Sequence, residues 1–226
     1  MSKNIALILA AGIGSRMNND TPKQFMLING KPLLFYSLST FNNHDQIDEV
    51  YVVTNIENLS TVRGIIRDNN LKKVRDIIIG GKTRQESVFN GLKGIPNVAL
   101  DDIILIHDSA RPLVTKEIID RNIDACLTYN AVNTVIPVTD SLVRSEGNES
   151  VDRNKVLAVQ TPQTFRYDLI LKAHEEALKE NITNAGDDAS LVSRLNVNIK
   201  QVQGNKLNFK VTTMEDLIIL KAILER

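Results

Sequence analysis

The sequence predicts an α/β domain: a mostly parallel sheet with helices on both faces, from which one β-arm projects. Three observations carry that prediction. Short apolar runs alternate with amphipathic stretches, as in βαβ units. The apolar runs lack polar alternation, as expected of strands covered on both faces. The pattern breaks once, between about residues 139 and 160.

In chain order, IALILA (5–10) precedes KPLLFYSLSTFNN (31–43), and EVYVVT (49–54) precedes ENLSTVRGIIRDNN (57–70). RDIIIGG (75–81) then precedes RQESVFNGLKGI (84–95), and DIILIHD (102–108) precedes KEIIDRNIDACLTY (116–129). The irregular stretch TDSLVRSEGNESVDRNKVLAVQ reads as two β-leaning segments around a Ser-Glu-Gly-Asn-Glu turn. It has too few large apolar residues to fold alone, so an arm is expected, of the kind that embraces a second subunit. The remainder reads as helix 168–180, loop 183–188, helix 189–195, strands 198–204 and 208–213, and a last helix 214–225. A length of 226 residues suits one domain carrying this insertion.

Composition excludes several function classes. Lys plus Arg equals Asp plus Glu, at 27 each, so no general basic field is available to hold nucleic acid. Any anion must be bound by a local cluster. The N-terminal apolar run is too short for a membrane span and leads into a glycine turn rather than a cleavage site, so a cytoplasmic protein is expected. The single Cys126 falls on the apolar side of a predicted helix, which reads as core rather than as a reactive thiol.

Ligands of parallel sheets bind beyond the carboxyl ends of the strands, which singles out three loops. The first runs from Ala10 and Ala11 through Gly12, Gly14 and Arg16 to Lys23. Its two glycines allow main-chain N–H groups to point at phosphate oxygens, and Arg16 and Lys23 add charge at the same rim. The Walker pattern is absent, and the dinucleotide fingerprint lacks both its third glycine and its acidic ribose anchor, which disfavours a nicotinamide dehydrogenase. A strand-to-helix turn with solvated charges is the competing reading. The combined string L-A-A-G-x-G-x-R-M followed by P-K-Q resembles the start of the sugar-nucleotide pyrophosphorylase and cytidylyltransferase superfamily. That resemblance implies a loop wrapped around a triphosphate, with Arg16 and Lys23 neutralising charge as the α-phosphorus is attacked. Such a displacement needs orientation and charge stabilisation but no protein nucleophile.

The second loop begins at Gly80-Gly81, a pair suited to close contact with a flat base or ribose, with Arg84 and Ser87 as nearby donors. A plain turn and helix start is the alternative. The third follows Asp108, a carboxylate after four apolar strand residues, which is costly to place unless it meets a cation. Asp108 is therefore the expected ligand of a Mg²⁺ carried by the triphosphate, with capping of the following turn as the alternative. Arg111 is placed to pair with that carboxylate or to bind a second substrate's phosphate. His107 has no Ser or Cys nucleophile to serve and reads as packing or support.

Six further strings occur in order: G-G-x-x-R-x-x-S-V, H-D-S-A-R-P, V-D-R-N, Q-T-P-Q-x-F, D-D-A-S-L-V and N-F-K-V-T-T-x-E-D-L. Together they span nearly the whole chain and resemble the 2-C-methyl-D-erythritol 4-phosphate cytidylyltransferase family and its close relatives, the ribitol-5-phosphate cytidylyltransferases. The resemblance implies a Rossmann-like domain in a homodimer, each β-arm completing the neighbour's site. It implies CTP contacts from Ala10, Ala11, Gly12, Gly14, Arg16, Lys23, Gly81, Ser87, Asp108 and Ser109. It also implies that Arg111, Arg153, Thr161 and Lys210 approach the polyol phosphate or the reacting phosphates. Arg153 makes independent sense, because a guanidinium fork matches phosphate oxygens bidentately.

Three positions depart from the family's usual pattern. Ser141, in the substrate-side segment, keeps a hydroxyl but loses a methyl; Gly186 stands where a threonine is usual; and Lys82 stands where an acid is common. A hydrogen bond missing from a polyol-phosphate pocket costs on the order of 1 kcal/mol. H-D-S-A-R-P and D-D-A-S-L-V favour methylerythritol phosphate over ribitol phosphate as the acceptor. A non-catalytic nucleotide sensor, the rival of another class, would have no need of Arg16, Lys23 and Asp108 together.

Overall fold

A computed structural model describes residues 2–12 and 22–225. In chain order the strands are β1 (Asn4–Leu9), β2 (Leu27–Ile28), β3 (Lys31–Pro32), β4 (Glu49–Thr54), β5 (Val74–Ile79), β6 (Ile103–Asp108), β7 (Ala131–Pro137), β8 (Leu142–Val143), β9 (Ser150–Val151), β10 (Leu157–Arg166) and β11 (Lys200–Gln203). The α-helices are α1 (Leu33–Asn42), α2 (Leu59–Asp68), α3 (Arg84–Gly94), α4 (Lys116–Tyr129), α5 (Tyr167–Lys179), α6 (Asp188–Ser193) and α7 (Met214–Leu224).

Among the described residues the central sheet has the order β11-β7-β10-β6-β1-β4-β5. β1 runs parallel to β4 and β6, β4 to β5, and β7 to β11; β10 alone is antiparallel to its neighbours. The four strands expected in the first half of the chain are present, and the mostly parallel sheet is observed. Alternate side chains of β1 face opposite ways, as the pleat requires. Ala6 and Ile8 join the core beneath α1, α2 and α4, whereas Ile5, Leu7 and Leu9 join the one beneath α3, α5 and α6. Residues 5–9 of β1 and 103–106 of β6 are therefore unbrokenly apolar because both faces of these strands are covered. A third, smaller cluster, with Ile28, Leu33 and Leu217, seats α7 on the outside.

β7 and β10 escape the sequence pattern because their cores are polar. Asn122 of α4 donates through Nδ2 to Thr134 Oγ1 (2.8 Å) and accepts from Thr164 Oγ1 (3.0 Å), and Thr134 Oγ1 donates to the Pro162 carbonyl (2.6 Å). All three side chains are fully buried. The register of β10 against β7 shifts between Val159 and Gln163, where Pro162 contributes no N–H to the ladder.

Two expectations are corrected. The arm is a short hairpin, β8 with β9 around Gly147 at φ +96°, but residues 157–160 already belong to β10, where Leu157 pairs with Pro137. Segment 208–213 is not a strand. Val211 N donates to the Ala110 carbonyl (2.8 Å) and Asn208 Nδ2 to the Thr161 carbonyl (2.9 Å), so it packs against the loop after β6 instead of along a sheet edge.

Replacing Asn122 by Leu keeps the branched outline, adds bulk, and strips a partner from each of two buried hydroxyls. Destabilisation of about 2–4 kcal/mol is expected in urea unfolding.

Candidate active site

The carboxyl ends of β1, β4, β5 and β6 open into a cavity of about 730 Å³. Among the described residues four cations line it, Lys23, Lys82, Arg84 and Lys210, against two carboxylates, Glu57 and Asp108. A chain with no net charge thus concentrates positive charge at one place.

Asp108 ends β6 at the cavity floor and is 8% exposed. Its Oδ1 lies 3.2 Å from Arg84 Nε, and its Oδ2 accepts from Lys210 Nζ at 2.6 Å. Burial opposes ionisation, but Arg84 and Lys210 outweigh it and hold the carboxyl well below the usual carboxylate range. Arg84, the first residue of α3, also reaches Asp188, whose Oδ2 is 2.8 Å from its Nη1. Burial works against the Arg84 charge, and the two carboxylates more than compensate, raising its pKa.

Behind Asp108 the hydrogen bonding settles a histidine tautomer. His107 Nε2 faces the Arg111 carbonyl at 3.1 Å, which can only accept, so Nε2 carries the proton. Nδ1 then accepts from Thr161 Oγ1 (3.1 Å), and that oxygen in turn accepts from Asp108 N (3.1 Å). Burial pushes the His107 pKa down to about 4 and keeps the ring neutral. The shift in β10 register turns Thr161 toward Asp108. His107 is thus a supporting residue, as its sequence setting suggested.

The rim is built from loops. Lys23, in a short 3₁₀ turn, donates through Nζ to the Val211 carbonyl (2.9 Å). Gln24, 2% exposed, donates through Nε2 to the carbonyls of Ala10 and Gly12, both at 3.0 Å, and so fixes the start of the glycine loop. Ser87 Oγ accepts from Gly81 N (3.1 Å) and donates to the Thr83 carbonyl (2.9 Å), shaping the Gly80-Gly81 turn. Gly81 is required there, because a Cβ would collide with the Glu86 side chain.

A family model for "IspD: 2-C-methyl-D-erythritol 4-phosphate cytidylyltransferase" matches residues 4–226. The chain belongs to that family. A Clostridium botulinum protein of the same name is 41% identical over 230 residues, covering 100% of this chain and 99% of that one. The crystal structure of 4-diphosphocytidyl-2C-methyl-D-erythritol synthase from Anaerococcus prevotii superposes with a TM-score of 0.86 at 28% identity, over 100% of this chain and 97% of that one. The Thermus thermophilus 2-C-methyl-D-erythritol 4-phosphate cytidylyltransferase gives 0.81 at 31% identity, over the full length of both. Members of this family are cytidylyltransferases, a type of nucleotidyltransferase.

The fold brings most of the sequence-predicted residues to one place. Ala11, Gly12, Lys23, Gly81, Arg84, Ser87, Asp108, Ser109 and Lys210 line the cavity. Ala10 is buried at its edge, and Thr161 lies behind Asp108. Arg111 is not among the lining residues: Nη1 donates to the Asn208 carbonyl (2.8 Å) and Nη2 to that of Val159 (3.2 Å). Its burial lowers its pKa, an effect only partly offset by Asp108. Ser141 and Arg153 are exposed on the arm and do not line this cavity; Arg153 Nη1 donates to the Thr139 carbonyl (2.8 Å). Gly14 and Arg16 lie outside the described residues. Gln24, Asp188, Gln160 and Asn208 were not singled out from sequence. Asn208 accepts from Arg111 through its carbonyl, Gln160 Oε1 accepts from Asn208 Nδ2 (3.2 Å), and together they seat the segment bearing Lys210.

The donor set fits one hard divalent cation held mainly by a ligand. Among the described residues no group of three or more His, Cys, Asp or Glu could form a full protein cage. Asp108 offers a single ionised carboxylate with one oxygen on each cation partner, leaving lone pairs unused.

The neutral, buried His107 makes stability depend on pH. Its folded pKa of about 4 lies below the unfolded value near 6.5, so the unfolded chain binds more protons between them. Stability should be complete above about pH 6.5 and fall by about 3 kcal/mol as pH drops to 4. Urea midpoints across this window check it, and His107→Gln should flatten the slope.

Proposed function

We propose that this chain transfers the cytidylyl group of CTP to the phosphate of 2-C-methyl-D-erythritol 4-phosphate and releases pyrophosphate. The observation that carries the reading is the cation-lined cavity floored by ionised Asp108, in a chain of this family. An oxygen of the acceptor phosphate attacks the α-phosphorus in line. The new P–O bond forms as the bond to the β-phosphate oxygen breaks, and no protein nucleophile takes part. Lys23, whose Nζ lies against the Val211 carbonyl, and the neighbouring Lys210 both line the cavity, and with Arg16 they stabilise charge on the phosphates as it redistributes. Asp108 is the residue that would hold Mg²⁺; the bound ion supplies charge neutralisation across the triphosphate oxygens. The Gly80-Gly81 turn gives the base a close approach.

The reading extends to a homodimer in which the arm carries Ser141 and Arg153 to the neighbour's cavity. In its support, both residues are exposed and neither lines the cavity of its own chain. A cytoplasmic setting is proposed from the single cysteine and the balanced charge; among the described residues no helix is long and apolar enough to cross a membrane.

A pyrophosphate-release assay with CTP, Mg²⁺ and a panel of polyol phosphates tests the reaction. Turnover is expected with 2-C-methyl-D-erythritol 4-phosphate; preference for ribitol 5-phosphate would reassign the acceptor, and no release with any acceptor would refute the chemistry. In the same assay Lys23→Ala should lower kcat by about 10²- to 10³-fold with the fold retained.

Arm exchange has its own test. Arg153→Ala and Lys210→Ala chains, each inactive alone, should on mixing regain about a quarter of wild-type activity, because half the dimers are mixed and each holds one intact site. Mixtures as inactive as their components would exclude a site completed by the neighbouring arm.

A further inference from the structure

Asp188 lies outside the cavity lining yet is tied to the cavity floor through Arg84. It is 1% exposed and held from three directions. Its backbone N donates to Gln163 Oε1 (3.0 Å), its Oδ1 accepts from His174 Nε2 (3.2 Å), and its Oδ2 meets Arg84 Nη1 at 2.8 Å. His174 is equally buried and stacks on Phe89, with ring centroids 6.1 Å apart. Asp188 is therefore anchored and cannot follow a moving partner.

Left to itself, a guanidinium beside a carboxylate closes on it with two parallel N–H bonds. Arg84 does not do so: only Nε faces Asp108, at 3.2 Å, while Nη1 is engaged by Asp188 at the shorter distance. We propose that Asp188 is a positioning residue for cation-dependent nucleotide binding, dividing Arg84 between two carboxylates so that Asp108 keeps lone pairs open toward the cavity. This rests on the reading of Asp108 as the cation-facing carboxylate. Without the Asp188 charge, Arg84 settles fully on Asp108 and takes up the lone pairs it had left open, so the carboxylate attracts a further cation poorly.

The test measures CTP affinity calorimetrically, in Mg²⁺ and in EDTA, for the full chain and its variants, with thermal unfolding to verify the fold. In Asp188→Asn the gain in affinity conferred by Mg²⁺ should shrink about tenfold, while affinity in EDTA stays level or rises. A purely structural role would weaken both affinities alike, and that result overturns the inference. Asp188→Ala removes the same charge with a smaller side chain; it should show the same selective loss and carries the test if Asp188→Asn does not fold. A Mg²⁺ gain as large as wild type in whichever variant folds also overturns the proposal. If the wild-type chain binds CTP equally with and without Mg²⁺, the inference alone falls; if it binds no CTP, the functional reading falls with it.

Discussion

An ionised carboxylate at the end of a buried strand is the constraint on which the site depends. Burying Asp108 in isolation would cost far more than one contact returns, so the fold must bring cations to it. Arg84 arrives from the start of α3 and Lys210 from a segment about a hundred residues later in the chain. Both cations themselves need fixing. Asp188 holds Arg84 from behind, while Asn208 and Gln160 seat the stretch that carries Lys210.

The sheet explains why these groups meet at one end. β1, β4, β5 and β6 run parallel, so their carboxyl ends share an edge, and their following loops converge there. β10 enters antiparallel beside β6, which lets a residue in the middle of β10 face the end of β6. The shifted register around Pro162 places Thr161 to receive the Asp108 N–H and to donate to His107. The polar core under β7 and β10 holds the Pro162 carbonyl through Thr134 and so steadies this junction from the opposite side. Fold stability and site geometry therefore share the same buried hydrogen bonds.

What the sequence revealed follows from which signals are local. Strands β1, β4 and β6 are buried on both faces and read as unbroken apolar runs, and the loop residues after them stand at fixed offsets. Asp108 was legible because a charge after such a run demands a partner. β7 and β10 were not, since buried Thr134, Gln163 and Thr164 interrupt the apolar signal while being satisfied by residues distant in sequence. The 208–213 segment has a strand's composition, but its partners are a carbonyl after β6 and side chains of β10, and no local pattern encodes that docking. Gln24 gave a weak signal as the polar residue after Pro22-Lys23; its double contact to the Ala10 and Gly12 carbonyls depends on the folded loop. Asp188 and Arg84 both stand in strings used for the family assignment, yet only the structure brings them to 2.8 Å.

The distribution of charge separates what is fixed in advance from what a ligand must complete. The acid–base cluster of Arg84, Asp108, Asp188 and Lys210 is balanced by itself, with two cations and two anions in mutual contact. Among the described residues the other charged groups of the cavity, Lys23, Lys82 and Glu57, stand on its rim. A neutral, interlocked floor can be buried without ligand, because each charge there already has a partner. Lys82 on the rim is exposed and is a part able to respond to a polyanion. This division accounts for a rigid floor on the sheet and helix starts beneath a rim made of turns. It also gives Lys82 a physical consequence where the family commonly has an acid: the charge change falls on the responsive rim and leaves the balanced floor untouched.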